Sequence, residues 1–301
     1  MTMASQQGIT RELGIGEVVS KTLELYQREF MKYFILFLIV EAIYGLVLTA
    51  VQHAIQQVAA APALPANPTM QQVTNWLGTY IGPALATGAA TLLIALVFYP
   101  VIYGSAVKMA SDQIKSGHVD IETAVRFGAS KLIWMWILGL VVGIIVFIGF
   151  VALIIPGIIL SIMFVLVLPV LLIENTGVLG TMNRSRELVG HRWLKTFGTF
   201  LVFVIVIGIA AAIAGAISRP FGFASTEVSS ILSALYLPIV PIALTVYYYS
   251  NLARIAPVQP GQAPMAQATV IQEGMKFCPN CGTKLLPSAT FCPNCGAKQP
   301  A

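Results

Sequence analysis

Two apolar patterns alternate along this chain. In one, long stretches are apolar throughout; in the other, apolar residues recur every three to four positions opposite a polar stripe. A hydrocarbon core about 30 Å thick needs roughly 20 apolar residues per helix. Six stretches meet or approach that length, at about 33–55, 80–110, 132–155, 157–173, 196–217 and 228–250. Between the third and the fourth, "IIPGII" (Ile154 to Ile159) sets Pro156 and Gly157 where a tight reversal is expected. None of the stretches alternates with period two as barrel strands do, so the predicted membrane part is all-helical. The first begins only at Tyr33 and is long enough to span, and it reads as a retained helix rather than a cleaved leader.

The periodic segments precede the odd-numbered spans. In "IGEVVSKTLELYQREFMKYF", Ile15, Val18, Val19, Thr22, Leu23, Tyr26 and Phe30 share a helical face opposite Glu17, Lys21, Glu24 and Arg28. Glu17 with Lys21, and Glu24 with Arg28, stand four apart in the favourable order. "DIETAVRFGASK" repeats the design with Asp120 as N-cap and Glu122 opposite Arg126, and "GTMNRSRELVGHRW" repeats it with Thr181 as cap. The even-numbered spans carry a second repeat: "FYPVIY", "VLPVLL" and "YLPIVP" place Pro100, Pro169 and Pro238 at equal intervals of 69 residues. Three units are therefore predicted, each an interfacial amphipathic helix, a span, an outer turn and a proline-bearing return span. An interior proline removes a helical hydrogen bond and kinks the helix, which makes these three prolines candidate structural residues.

Composition agrees with a lipid solvent: the 301 residues are 57% hydrophobic and 10% charged, against about 25% charged in soluble domains. The sign of the charge then orients the chain. Of 17 Lys and Arg residues, 16 flank the predicted spans on one side, and only Arg219 falls on the other. The loop from Gln56 to Trp76 has no charge at all. The positive-inside rule puts both termini in the cytoplasm of a multi-pass inner-membrane protein. The formal net charge of +5 then describes a basic inner face that attracts anionic lipid headgroups, not a nucleic-acid footprint.

All four cysteines lie in "FCPNCGTKLLPSATFCPNCG", residues 277 to 296. Cys278 and Cys281 form one CxxC, Cys292 and Cys295 another, with ten residues between. Four thiolates at about 2.3 Å suit a tetrahedral, structural Zn²⁺, one per chain, with no open position for catalysis. A segment this short has almost no core, so the metal is expected to supply its folding energy. A reducing cytoplasm argues against disulfides, and a redox CxxC would need a βαβ context that does not fit here. The chain thus divides into a six-span domain at 1–254, a flexible Pro- and Gln-rich linker at 255–274 and a zinc ribbon at 275–301. The ribbon is expected to recognise a protein partner.

Catalytic chemistry is not in evidence. His53, His118 and His191 stand apart from one another, and no nucleophile elbow, zincin motif or phosphate-binding glycine loop is present. No catalytic residue is predicted, and the chain is read as a non-enzyme. Two carboxylates stand out. Glu41 falls about eight residues into the first span, roughly 12 Å deep at 1.5 Å per residue, where a charge costs on the order of 3 kcal/mol. It is the candidate intramembrane functional residue, with helix-gluing hydrogen bonds to Ser161 or Thr245 as the structural alternative. Glu174, in "LLIENTG", closes the fourth span and is expected to order the following turn by pairing with Arg184 or Arg186.

The stretch "PGIILSIMFVLVLPVLLIENTGVLGTMNRSRELVGHRWLKTFG" resembles the membrane domain attached to some bacterial glycerophosphoryl diester phosphodiesterases and its stand-alone relatives. The likeness is carried by Pro156-Gly157, Pro169, Glu174, Arg184-Ser185 and Arg192-Trp193, and with "GIGEVVSKTLELYQREFMKYF" it covers about residues 14 to 252. The phosphodiesterase barrel with its metal-binding carboxylates and histidines has no counterpart, so the resemblance implies a membrane fold and no activity. The tail is similar to the small zinc ribbons appended to many prokaryotic proteins. The expected function is a membrane scaffold or adaptor whose cytoplasmic ribbon binds a partner; the alternative is a transporter or channel for a small or lipid-derived solute. The orientation is checked by Ala66→Cys in a chain lacking residues 275–301, since the remainder has no cysteine. An impermeant thiol reagent is expected to label it from outside intact cells; labelling only from the cytoplasmic side would reverse the topology.

Overall fold

In a computed structural model of the chain, the structure describes residues 8–190, 192–255, 276–277, 284–285, 291 and 297–298. Two compact units divide the chain, Met1–Ala256 and Pro257–Ala301. The first is helical: α1 (Ile15–Arg28), α2 (Phe30–Ala59), α3 (Met70–Trp76), α4 (Gly82–Leu93), α5 (Tyr99–Ser116), α6 (Ile121–Ser130), α7 (Leu132–Ala152), α8 (Ile154–Met163), α9 (Val167–Glu174), α10 (Val178–Val189), α11 (Trp193–Ser218), α12 (Ser225–Ser233) and α13 (Ile239–Ile255). Among the described residues, five helices are long and apolar enough to cross a membrane: Phe30–Ala59, Met70–Ser116, Leu132–Ala152, Ile154–Glu174 and Trp193–Gly222. The stretch expected as the sixth span is divided into α12 and α13 by a turn over 234–238.

Proline explains the divisions. Proline has no N–H to donate and its ring crowds the carbonyl four residues back, so an α-helix cannot pass through it undisturbed. Ahead of Pro100 the helix widens into a π-turn at Ile94–Phe98; ahead of Pro169 it opens at 164–166; ahead of Pro238 it opens at 234–238. Each opening leaves a main-chain carbonyl that a side chain from elsewhere takes up. The Trp136 indole donates to the Leu96 carbonyl, Ser185 Oγ to Met163 at 2.8 Å, and Tyr26 Oη to Leu235 at 2.8 Å.

The openings also mark a change of surroundings. Before them the chain presents large apolar side chains outward, such as Leu92, Leu96 and Phe98, then Ile154, Ile155 and Ile159, then Ile231 and Leu235. Beyond them α5, α9 and α13 lie in the core, with Ile102, Met109, Ile114, Leu171, Ile242 and Val246 buried. The amphipathic helices cover this core. α1 buries Val18, Thr22, Leu25 and Tyr26 and packs on α13, α6 packs on α5, and α10 packs on α9 and α13. Their apolar faces, expected at a lipid interface, are thus largely occupied by protein, because three post-proline helices offer a better-packed partner than headgroups do.

Local details differ from the sequence expectation where a nearer partner wins. Glu17 bonds Arg11 and the Gly14 N–H rather than Lys21, which turns to Glu24 at 2.9 Å; Glu24 also receives Arg28. Asp120 caps α6 by accepting from the Glu122 and Thr123 N–H groups, and Arg126 pairs with Glu122 at 2.7 Å. The N-cap of α10 is Gly177, not Thr181, which is buried inside the helix and bonds Thr176. The reversal between α7 and α8 falls at Leu153, whose backbone is extended, while Pro156 sits within the first turn of α8, where it needs no donor. Gly157 lets Phe150 lie against α8, since a Cβ there would stand 2.4 Å from its ring.

A close backbone-to-backbone seam joins α5 and α6. A Cβ on Gly128 would meet the Val101 carbonyl oxygen at 2.5 Å and Ser105 Oγ at 2.7 Å, so Gly128→Ala must push the helices apart. Overpacking of this kind costs about 1 to 3 kcal/mol. Thermal unfolding in detergent is expected to show that loss for Gly128→Ala and none for Gly139→Ala, whose added Cβ would meet nothing within 4 Å.

Candidate functional site

Glu41 lies on α2 and is only 2% exposed. Its depth follows from a glycine one turn on. At Gly45 a Cβ would stand 2.9 Å from Ser230 Cβ and 3.1 Å from Glu227 Cα, so α2 and α12 approach as closely as backbones permit. That contact carries Ser233, at the end of α12, to the carboxylate: Ser233 Oγ donates to Oε2 at 2.7 Å. From the other side Tyr99 Oη, at the start of α5, donates to Oε1 at 2.7 Å. Tyr44 packs edge-on against the Tyr99 ring with centroids 5.5 Å apart.

Both partners sit at proline openings, Tyr99 beside Pro100 and Ser233 ahead of the turn that ends at Pro238. Ser161 and Thr245, the partners expected from sequence, bond instead to the carbonyls of Gly157 and Pro241, each four residues back in its own helix. The carboxylate therefore ties together the three chain segments α2, α5 and α12, with one hydroxyl on each oxygen.

A second carboxylate organises the opposite part of the bundle. Glu174, the last residue of α9, receives Arg184 Nε at 3.0 and 3.1 Å and Tyr248 Oη at 2.9 Å. Arg184 reaches on to Glu187 at 2.7 Å. Partial burial works against the Arg184 charge, but Glu187 and Glu174 outweigh it and raise its pKa above the ordinary arginine value. Asn175 follows in the left-handed region, with φ of 52°, and its Oδ1 accepts from Lys131 at 2.6 Å. The turn after α9 is thus fixed by charge at both ends.

Sequence reading passed over the run Tyr247-Tyr248-Tyr249-Ser250-Asn251. Tyr247 pairs with Thr196 of α11 at 2.7 Å, Tyr248 with Glu174 of α9, and Tyr249 with Ser111 of α5 at 2.7 Å. Ser250 accepts the Leu13 N–H at 2.8 Å, ahead of α1. Consecutive helical residues point about 100° apart, so a run of bonded hydroxyls belongs to a helix enclosed on every side. That spacing was the available signal.

The N-terminal segment is clamped by charge. Glu12 pairs with Lys195 and with Arg192; burial opposes ionisation there, yet those cations hold its carboxyl below the usual range. Glu17, bonded to Arg11 and the Gly14 N–H, is lowered to about 2. Because its folded pKa is depressed, Glu17 stabilises the fold above its ordinary value near 4.5, and that contribution is lost as pH falls toward about 2.

Cys278, Cys281, Cys292 and Cys295 lie outside the described residues, as do His191 and most of the linker. The backbone beside the cysteines is informative. β1 (Lys276–Phe277) pairs antiparallel with β2 (Lys284–Leu285), matching Phe277 with Lys284, and Phe291 bridges Lys298 in the same sense. Each pairing closes a six-residue loop, "CPNCGT" and "CPNCGA", that opens on the first cysteine of a CxxC. The two CxxC sequences that follow these strands hold four cysteines, the number a tetrahedral Zn²⁺ site of this type uses.

A family model for a zinc-ribbon domain matches residues 271–299. No curated protein and no solved structure matches the chain. The class defined by these observations is a helical membrane protein with five helices long and apolar enough to span, carrying a C-terminal zinc-ribbon domain. Metal analysis of the full-length protein is expected to give one zinc per chain and close to none after Cys292→Ser, since loss of one thiolate opens the shell. Bound iron in the native protein, or zinc retained by the variant, would reject this assignment.

Proposed function

We propose that the protein is a non-enzymatic scaffold of the inner membrane, with a zinc ribbon on its cytoplasmic side that binds a protein partner. In this reading the sixth span is α12 continued by α13, the three proline-bearing units are structural repeats, and both termini are cytoplasmic. Cys278, Cys281, Cys292 and Cys295 hold one structural Zn²⁺. The likeness to the membrane domain of glycerophosphoryl diester phosphodiesterases is proposed on the same sequence features as before, without their hydrolytic chemistry.

The observation that supports a scaffold best is the use made of Glu41. A transporting carboxylate has to exchange its partner for a proton or solute, whereas each Glu41 oxygen is already held by a hydroxyl from an interrupted helix. The tyrosine hydroxyls of α13 are likewise engaged with neighbouring helices. These buried groups serve to join helices. One observation favours the alternative, transport of a small or lipid-derived solute: interrupted helices meeting at a buried carboxylate also occur where transporters bind their substrates.

Complementation at matched membrane abundance separates the two. For a scaffold, Glu41→Gln keeps two acceptor or donor positions and is expected to preserve the phenotype, while deletion of residues 275–301 abolishes it. Loss in Glu41→Gln together with a tolerated tail deletion would establish transport instead.

A further inference from the structure

We propose that the groove between α8, α10 and α11 is a binding site for one anionic glycerophospholipid of the surrounding bilayer. The groove encloses about 760 Å³ and has two chemically distinct walls. Ile159, Met163 and Trp193 make one apolar; Asn183 and Arg186, from the outward face of α10, make the other polar. A free phosphate would have no use for the apolar wall, and a neutral hydrocarbon none for the guanidinium. A headgroup phosphate with attached acyl chains uses both.

Charge complementarity selects an anionic occupant. Basic residues near the groove are committed: Arg184 to Glu174 and Glu187, Arg192 and Lys195 to Glu12, and Arg254 to the Leu188 carbonyl. Glu187, which also lines the groove, is turned to Arg184, a cation it shares with Glu174. Among the described residues no carboxylate pairs with Arg186, so it is the cation left to meet a phosphate, with the Asn183 amide as a second donor.

The level of the groove suits a lipid as well. Trp193 opens the long apolar helix α11 and is 46% exposed, followed outward by Leu194, Phe197 and Leu201. Tryptophan in that position marks the boundary between headgroups and chains. Ile159 is the last large apolar residue that α8 exposes before its opening, and it continues the same greasy surface. A lipid seated here would fill the space between α8 and α11, with its phosphate against α10.

The test uses the full-length protein in detergent, titrated with phosphatidylglycerol or phosphatidylcholine and read by native mass spectrometry. One phosphatidylglycerol per chain is expected to bind in preference to phosphatidylcholine. Arg186→Gln should weaken it about tenfold, the scale of one lost charge-assisted hydrogen bond. Arg126→Gln, which removes an exposed arginine from α6, should leave binding unchanged. Equal binding of the two lipids overturns the proposal. So does equal weakening by the two substitutions, which would mean diffuse attraction to a basic face. Displacement of the lipid by millimolar inorganic phosphate overturns it too, in favour of a simple anion site. Should Arg186→Gln fail to reach the membrane, Asn183→Asp is read in its place; it sets a carboxylate beside the phosphate and should weaken phosphatidylglycerol while sparing phosphatidylcholine.

Discussion

A main-chain carbonyl released inside a hydrocarbon solvent has no water to bond, and the rest of this fold is arranged around that constraint. Pro100, Pro169 and Pro238 each open a helix, and each opening is closed by a side chain from a distant part of the sequence: Trp136, Ser185 and Tyr26. Those donors come from α7, α10 and α1. The prolines thus do more than bend helices. They create acceptors that fix where the neighbouring elements must lie, and the amphipathic helices α1 and α10 are held in place partly by that demand.

The same openings divide each return segment into two environments. Its first part shows apolar side chains outward, whereas its second part, α5, α9 or α13, is enclosed. Enclosure raises the value of every hydroxyl, since an unbonded one has no solvent to turn to. α13 meets this by sending Tyr247, Tyr248 and Tyr249 to three different helices. Glu41 does the reverse, drawing hydroxyls from α5 and α12 onto α2. Hydrogen bonds between membrane helices contribute about 0.6 to 2 kcal/mol each, so no single one holds the bundle, and their distribution over all its helices matters more than any one partner.

The C-terminal unit solves a different problem. Its described residues form two short strand pairings, and a segment of this length buries too little apolar surface to fold on that alone. Zinc, as proposed for its two knuckles, would provide folding energy independent of the membrane. Such independence would suit the partner-binding role proposed for this unit, since each part could then be stable without the other.

What the sequence determined by itself follows from local physics. Apolar length gave the long helices, the Asp120-Ile121-Glu122-Thr123 run gave a capped α6, and the spacing of four cysteines gave the zinc ribbon, because each signal is complete within a few dozen residues. Glu174 beside Arg184 was legible for the same reason, being only ten positions apart. The partners of Glu41 were not. Tyr99 and Ser233 lie 58 and 192 residues away, and nothing in their own surroundings points to α2. Nor could periodicity say what covers an amphipathic face: the stripe on α1 suits a lipid interface as well as a protein groove, and only the enclosed position of α13 made it the latter. Apolar patterns report that a surface must leave water; which surface receives it is decided when all the helices compete for the same neighbours.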